Sequence, residues 1–302
     1  MQPDITAKSW IMVATLGFVW GASFLFIELA LVGIGPFWLA ASRILFAGLL
    51  TTAIWKTRNG KLYLTEQRGS WTALFVVGVL SSALPFVAIS WGQQFVTSGF
   101  AGVSMAAVAL IVLPLAHFFV PGERLTLRKS LGFLIGFIGV AVLIGPEAFA
   151  SSGIDGELMG RFACVLGASC YAVSSVVMRK LPPVDPIGLS AVTLMIGAVP
   201  VTALAFVVEG FPPMPSQEVI IVILILGLVQ TAAANLLRVM VIRSAGPVFM
   251  SLTNYQVPLW SVLLGVLLLG EDVEASLFIA LILILAGVFL SQWGALKRLF
   301  AR

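Results

Sequence analysis

Charged side chains are scarce in this sequence, and their scarcity excludes a soluble globular protein. Only 10% of the 302 residues are Asp, Glu, Lys or Arg, whereas 60% are hydrophobic. A soluble domain carries roughly a quarter charged residues, because its surface faces water. The composition therefore indicates a polytopic membrane protein. The formal net charge of +4 arises from basic residues in short loops, a pattern that does not predict nucleic-acid binding.

Histidine and cysteine are nearly absent, which limits the chemistry that the chain can support. The one histidine is His117, and Cys164 and Cys170 lie in one predicted helix. Six helical residues separate two Cα atoms by about 9 Å, which is too far for a disulfide. The sequence also lacks clustered His, Asp or Glu residues and a phosphate-binding P-loop. We therefore predict no enzyme, no catalytic residue, no metal, no cofactor and no ATP-driven pump.

Long hydrophobic runs, in contrast, fill the chain. Each is close to the roughly 20 residues that a helix needs to cross the hydrocarbon of a bilayer. The first run lacks a small-residue cleavage site, so we predict a retained helix and not a signal peptide. The predicted spans are 9–29, 36–55, 71–91, 97–119, 130–146, 159–178, 187–208, 218–240, 247–269 and 275–295.

Basic residues segregate to alternate loops between these spans. If the N-terminus lies inside, every Lys and Arg except Arg43 and Arg161 falls on the same side of the membrane, and the opposite loops are acidic. The positive-inside rule then places both termini in the cytoplasm. Because a wrong number of spans would scramble this pattern, the segregation also supports the count.

The two halves of the chain, 9–146 and 159–295, repeat each other with five spans each. The aligned pairs are Trp20 with Tyr171, Ser23 with Ser174, Pro36 with Pro186, Gly78 with Gly227, Gly122-Glu123 with Gly270-Glu271, and Gly139 with Gly287. Because five is odd, the copies must cross the membrane in opposite directions, as in transporters with a substrate site near the midplane. We therefore predict an all-α integral membrane protein with ten transmembrane helices in two inverted five-helix repeats. Glu123 and Glu271 are predicted to cap or brace a tight helical turn.

Several short motifs occur in a fixed order along the whole chain. They are Trp20-Gly21-Ala22-Ser23-Phe24, Pro36 followed by Arg43, Gly122-Glu123-Arg124-Leu125-Thr126 followed by Gly132, Gly136 and Gly139, and, in the second half, Pro258 and Gly270-Glu271. Together they resemble the EamA-type members of the drug/metabolite transporter superfamily. The resemblance implies a central cavity that opens alternately to either side of a bacterial inner membrane. It also implies transport of amino acids, vitamins, nucleobases, sugars or other small metabolites, with export in many bacterial members.

One position departs from this family pattern. Glu28 stands where many relatives carry a lysine. If that lysine helps to bind anionic substrates in relatives, the same preference is not expected here.

Polar residues within the spans indicate where a substrate could bind. Hydrocarbon offers them no partners, so they must face a cavity or a neighbouring helix. Pro258 cannot donate to the carbonyl of Asn254, and Pro85 likewise frees the carbonyl of Ser81. Broken helices of this kind recur at transporter binding sites. The predicted substrate-binding residues are Trp20, Ser23, Phe24, Ser81, Ser82, Tyr171, Ser174, Ser175, Gln230, Asn254, Tyr255 and Gln256.

For each of these residues the alternative is plain helix packing, or a kink whose polar groups satisfy one another. Most of the candidates lie in the first, third, fourth, sixth, eighth and ninth spans. The second, fifth, seventh and tenth spans are blander and are predicted to act as scaffold.

Charged residues inside the spans need a separate explanation. Glu28 and Arg43 lie at similar depths in the first two spans, and an unpaired charge there would be costly. We predict an ion pair between them, which is either structural or part of a gate. Arg238 is predicted to extend its side chain toward the cytoplasmic face.

These observations favour a secondary transporter that moves a small organic metabolite, an amino acid or a similar compound, in the export direction by alternating access. An uptake carrier for a vitamin, nucleobase or other metabolite is the alternative. A channel is less favoured, since no charged ring or filter-like segment is evident, and so is an integral-membrane enzyme. The predicted partners are a small-molecule substrate and the lipid bilayer. Coupling to a proton or a counter-substrate, the substrate's identity and the oligomeric state stay open.

Overall fold

The fold is all-helical in the part of the chain that the structure describes. The computed structural model describes residues 6–66, 69–119, 125–144, 156–212, 214–245, 247–250, 252–272 and 274–300. Within these ranges the only β pairing is a single bridge between Tyr63 and Val184, which joins two loops. The helical prediction is therefore confirmed.

The first half of the chain contributes five helical segments. They are α1 (Ala7–Leu31), α2 (Pro36–Thr57), α3 (Trp71–Gly92), α4 (Ser98–Phe119) and α5 (Leu127–Ile144). Helix α3 widens into a π-helical stretch over Val79–Ala83, and α4 is irregular at Met105, between Ser98–Ser104 and Ala107–Phe119.

The second half contributes α6 to α10. They are α6 (Glu157–Met178), α7 (Pro186–Glu209), α8 (Gln217–Leu224, π-helical Ile225–Ala233 and Ala234–Ala245), α9 (Thr253–Leu269, preceded by the short helix Pro247–Met250) and α10 (Ala275–Phe300).

Eight of these helices are long and apolar enough to cross a membrane, counting only the described residues. They are α1, α2, α3, α4, α6, α7, α8 and α10, and Thr253–Leu269 of α9 is a shorter apolar helix. Helix α5 has 18 residues. The chain is thus a multi-pass membrane protein, as the composition predicts.

Local sequence signals explain where the helices begin. Pro36 and Pro186 occupy first-turn positions, where the missing N–H costs no hydrogen bond. Side-chain caps start other helices: Thr97 Oγ1 accepts from Phe100 N at 3.2 Å. Ser216 Oγ accepts from Val219 N at 3.3 Å at the start of α8. Such caps satisfy N–H groups that have no partner within the helix.

A carboxylate from the second half caps α2 in the first half. Glu209, at the end of α7, accepts from the backbone N–H groups of Phe37 and Trp38 at 3.0 and 3.1 Å. The indole of Trp38 donates to the carbonyl of Gly210 at 3.0 Å. The negative charge therefore faces the positive end of the α2 dipole, which fixes the start of α2 to the end of α7.

Glu271 caps α4 in the same manner. Its two carboxylate oxygens accept from Ser98 N at 2.7 Å and from Gly99 N at 3.1 Å. Gly270 precedes it with φ 68°, a left-handed conformation that ends α9. Glu271 therefore caps a helix, but that helix belongs to the other half of the chain and is not the tight turn that the sequence analysis predicted. Glu123, its predicted counterpart, lies outside the described residues.

Helix pairing follows one pattern in both halves. Helix α1 packs on α8 and α9, and α6 packs on α3 and α4. Helix α2 packs on α7 and also on α8, while α7 also packs on α3. Helices α5 and α10 form the most extensive pair. Each helix of the first half has a counterpart five helices later, so that α1 corresponds to α6 and α2 to α7. If every helix in these pairs is replaced by its counterpart, the same set of pairs results.

Small residues allow the close approach of α5 and α10. A Cβ added at Gly132 would lie 2.7 Å from the backbone nitrogen of Ser291, and one added at Gly287 would lie 2.7 Å from the Cα of Gly136. Packing through glycine replaces the hydrophobic effect, which gives no advantage between helices in lipid.

We expect Glu271→Gln to lower the free energy of unfolding by about 1–3 kcal/mol, because charge-assisted hydrogen bonds to the α4 N-terminus become neutral ones. Unfolding in an SDS titration can be followed with a thiol-reactive fluorophore, since Cys164 and Cys170 are both free and buried. Glu274→Gln is the matched control, because Glu274 is exposed and accepts from the nearby Ser276 hydroxyl. Equal unfolding curves for the two variants would contradict the capping role.

Candidate functional site

A cavity of about 560 Å³ lies inside the helical bundle. Described residues of α1, α2, α3, α4, α6, α7, α8 and α9 line it. Its volume is in the range of small-molecule sites, and its wall combines apolar and aromatic surface with a limited number of polar groups. It is therefore the candidate site.

Most of the predicted binding residues meet at this cavity. Those that line it are Trp20, Ser23, Phe24, Ser81, Ser82, Tyr171, Ser174, Ser175, Gln230 and Asn254. They come from five helices and both halves of the chain, so the fold brings together residues that are distant in sequence. Their role in substrate binding stays a prediction.

Two predicted binding residues lie away from the cavity wall. Tyr255 packs against the hydrophobic core, and its buried hydroxyl has no hydrogen-bond partner in the described part of the chain. Gln256 fills the contact between α9 and α1, where a Cβ added at Gly17 would lie 2.6 Å from the Gln256 Cβ. Neighbouring positions of one helix face different directions, so of the three consecutive residues Asn254, Tyr255 and Gln256 only Asn254 reaches the cavity.

Two of the helices predicted to be scaffold line the cavity, which corrects the sequence-based division. Helix α7 contributes a continuous stripe that includes Ser190 and Thr193, and α2 contributes Arg43. Among the described lining residues none comes from α5 or α10. Ser190 and Thr193, three positions apart on one helix face, were the available signal for α7.

The predicted ion pair between Glu28 and Arg43 is not formed in this structure, in which both residues are described. Glu28 accepts from Gln93 Nε2 at 3.5 Å and lies outside the cavity. Arg43 points into the cavity and is held by other groups. Similar depth in the membrane therefore did not place the two charges on facing sides of their helices.

Arg43 is anchored by a hydroxyl and an aromatic ring. Its Nε donates to Thr231 Oγ1 at 2.9 Å, and its Cζ lies 4.4 Å from the centroid of the Phe86 ring. The side chain is only 8% exposed. Stacking of a guanidinium on an aromatic face is favourable and fixes the plane of the group. The two terminal amino groups have no hydrogen-bond partner within the described residues.

Four of the cavity serines donate their hydroxyl protons to backbone carbonyls. Ser23 donates to Val19 O at 3.3 Å, and Ser174 and Ser175 donate to Tyr171 O at 2.9 and 2.7 Å. The Ser82 hydroxyl donates to Gly78 O at 2.7 Å. Each hydroxyl then offers lone pairs to a ligand, but its donor is already used.

Free donors at the cavity come from other side chains. Arg238 lines the wall together with Arg43, a location that the sequence analysis did not predict, and its direction toward the cytoplasmic face stays a prediction. The amides of Gln230 and Asn254 and the phenol of Tyr171 are further potential donors of the wall. Among the described lining residues no Asp or Glu is present, so the charged groups of the cavity are two cations.

Widened helical turns shape the polar part of the wall. Thr231 Oγ1 donates to Leu226 O at 2.8 Å, five residues back, within the π-helical stretch of α8. That stretch brings Gln230 and Thr231 to the cavity and to Arg43. In α3 the π-helical stretch Val79–Ala83 lies just before Pro85, which agrees with the predicted break. Such distortions are frequent at functional sites.

The cavity reaches one end of the bundle and stops short of the other. Met178, Val184 and Pro186 at the α6–α7 connection belong to its lining. At the opposite end Gln93, buried at 2% exposure, donates to Phe24 O at 2.9 Å. The caps formed by Glu209 and Glu271 lie at this same end. Gln93 was not among the predicted functional residues.

Several known proteins resemble this chain over most of its length. A protein named uncharacterized transporter YoaV of Bacillus subtilis is 21% identical over 295 residues, covering 96% of this chain and 99% of YoaV. The uncharacterized inner membrane transporter YedA of Escherichia coli K12 is 26% identical over 280 residues, covering 91% of this chain and 88% of YedA. These relatives are named as transporters, and their names give no substrate.

A solved structure and a family model also match this chain. A protein of known crystal structure superposes with a TM-score of 0.64 and 21% identity, covering 96% of this chain and 98% of that chain. The sequence matches the EamA-like transporter family over residues 7–145 and 158–293, one match for each predicted half. The chain therefore belongs to the EamA-like transporter family.

Proposed function

We propose that this protein is a secondary transporter that exports a small organic metabolite across a bacterial inner membrane by alternating access. The observation that carries the proposal is the cavity between the two halves. It is lined by polar and aromatic side chains from both halves, its lining reaches the α6–α7 connection, and the buried Gln93 lies outside it at the opposite end. A carrier needs such a site, accessible from one side at a time.

We further propose that the chain forms ten transmembrane helices in two inverted five-helix repeats, 9–146 and 159–295. The equivalent packing of the two halves supports this arrangement. The pair α1 and α9 corresponds to the pair α6 and α4, and the pair α2 and α8 corresponds to the pair α7 and α3. Helices α5 and α10, which pack on each other, are then equivalent scaffold helices. An inverted repeat can adopt a second state in which the two halves exchange conformations.

The orientation follows from the basic residues. The α6–α7 connection, where the cavity ends, carries Arg179 and Lys180. The positive-inside rule assigns this end, together with both termini, to the cytoplasm. The conformation described here is then open toward the cytoplasm, which is the state in which an exporter binds its substrate.

Single-cysteine variants test this topology in a background with Cys164→Ala and Cys170→Ala. A membrane-impermeant maleimide should label Lys61→Cys and Ser190→Cys in inside-out vesicles and not in intact spheroplasts. Pro212→Cys, in the exposed α7–α8 loop, should show the opposite pattern. Labelling of Lys61→Cys and Pro212→Cys from the same face would contradict the inverted topology. The reverse assignment would overturn the orientation alone.

Transport can be tested in liposomes that contain the purified protein. Vesicles loaded with a pool of amino acids, organic acids and nucleobases should accumulate the matching labelled solute by saturable counterflow. Ohmic flux would indicate a channel, and a chemically altered solute would indicate an enzyme. Either result would contradict the proposed function.

The cavity amides should affect the affinity for the solute. We expect Gln230→Ala to raise KM about fivefold to tenfold, the loss expected for one hydrogen bond to a bound ligand. Gln94→Ala is the matched control, since Gln94 is exposed, lies outside the cavity and donates to Trp91 O. Equal KM values for Gln230→Ala and the wild type would show that Gln230 does not contribute to solute binding.

A further inference from the structure

We propose that the transported solute is an organic anion and that Arg43 binds its anionic group, a carboxylate or a phosphate. The inference rests on the proposed function, because it assigns a substrate class to the same cavity. It replaces the expectation, based on Glu28, that an anion would not be preferred. The cationic side chains come from α2 and α8 and are independent of position 28.

The first argument is the missing counter-charge of Arg43. A cation that is 8% exposed inside a membrane bundle is costly unless an anion pairs with it. Within the described residues Arg43 has a hydroxyl and an aromatic ring as partners, and neither carries a charge. Glu28, the expected partner, is directed to Gln93 outside the cavity. A bound anion would supply the missing charge.

The second argument is the geometry of the guanidinium. The bond from Nε to Thr231 Oγ1, 2.9 Å long, occupies the side edge of the group, and the Phe86 ring covers one face. The end edge, with its two terminal amino groups, is left without a partner among the described residues. Two parallel N–H groups match the two oxygens of a carboxylate or phosphate. Because Thr231 and Phe86 fix the plane, little side-chain entropy is lost on binding.

The third argument is the charge of the whole wall. Arg238 adds a second cation, and the described lining residues include no carboxylate. An ammonium group would meet two like charges and no carboxylate, so a cationic solute is disfavoured, and the ammonium group of a zwitterion would have only neutral acceptors. Four serine hydroxyls of the wall, those of Ser23, Ser82, Ser174 and Ser175, already donate to carbonyls, and the arginines are the strongest donors that face the cavity.

The remaining surface fits the body of such a solute. Trp20, Phe24 and Tyr171 offer aromatic faces, and Met105 and Ile89 add apolar surface. Amides of Gln230 and Asn254 can bond to a hydroxyl or carbonyl group of the body. We therefore expect a compact anion with one charged end and an apolar or aromatic remainder.

Four probes that share a phenyl ring separate the head-group chemistry. Benzoate, phenyl phosphate, benzamide and benzylammonium are added to the purified full-length protein in detergent, and binding is read as a rise in melting temperature. At least one of the two anions should bind about tenfold or more tightly than benzamide. Preference for benzoate assigns a carboxylate, and preference for phenyl phosphate assigns a phosphate. Equal binding of benzamide, tighter binding of benzylammonium, or no binding of either anion would overturn the proposal.

Variants identify the residue that carries the selectivity. Arg43→Gln should weaken the preferred anion by about tenfold or more while benzamide is unaffected, and Arg43→Lys should recover only part of the loss because it lacks the planar fork. Arg128→Gln removes a charge from an exposed position outside the cavity and should bind as the wild type does. Wild-type anion affinity in folded Arg43→Gln would overturn the assignment.

A second variant decides the question if Arg43→Gln fails to fold. Arg238→Gln removes the other cation, at an exposed position of the cavity wall, and should weaken the anion about threefold without changing benzamide binding. An unchanged ratio of anion to amide affinity would contradict the charge argument.

The anion assignment and the carrier function can therefore be contradicted separately. Saturable counterflow of a neutral or cationic solute, with no anion binding, would keep the carrier function and overturn the anion assignment. Selective anion binding without solute flux would keep the anion site and overturn the carrier function.

Discussion

A guanidinium held inside a membrane bundle without a carboxylate is the interaction on which the character of the site depends. Arg43 keeps its charge in the cavity wall because Thr231 takes one N–H at 2.9 Å and the Phe86 ring lies 4.4 Å from its Cζ. These contacts position the group but do not neutralise it. The charge is therefore directed at whatever enters the cavity, and the electrostatics of the site follow from this arrangement.

Irregular backbone brings this arrangement about. The π-helical stretch of α8 places Gln230 and Thr231 on the cavity side, and the widened turn of α3 does the same for Ser82. In lipid, a helix can widen only where other groups satisfy the displaced carbonyls. The hydroxyls of Thr231 and Ser82 do so by donating to Leu226 O and Gly78 O. The residues that shape the wall thus also stabilise the distortion.

The sequence predicted the helices and much of the wall, but not the directions of individual side chains. Hydrophobic length and proline breaks are local properties, so the helices and residues such as Trp20 and Ser82 could be predicted. Helix α7 is mostly apolar, and the short pair Ser190 and Thr193 was the signal of its cavity face that the sequence analysis missed. The sequence indicated that Glu28 and Arg43 lie at similar depths in the membrane. In the structure their side chains nevertheless point in different directions around their helix axes, Arg43 into the cavity and Glu28 toward Gln93. The carboxylate caps join residues more than 170 positions apart, for which no local pattern exists.

The caps also constrain how the closed end can open. Glu209 joins α2 to α7, and Glu271 joins α4 to the turn between α9 and α10, so each links a first-half helix to the second half. Breaking both bonds of one cap would cost about 3–6 kcal/mol, as much as a change from 1:99 to 99:1 in a two-state equilibrium. For a solute of ordinary affinity, breaking one cap would cost most of the free energy that its binding releases. Motion in which each capped pair moves as a unit, with rearrangement confined to the widened turns of α3 and α8, avoids that cost.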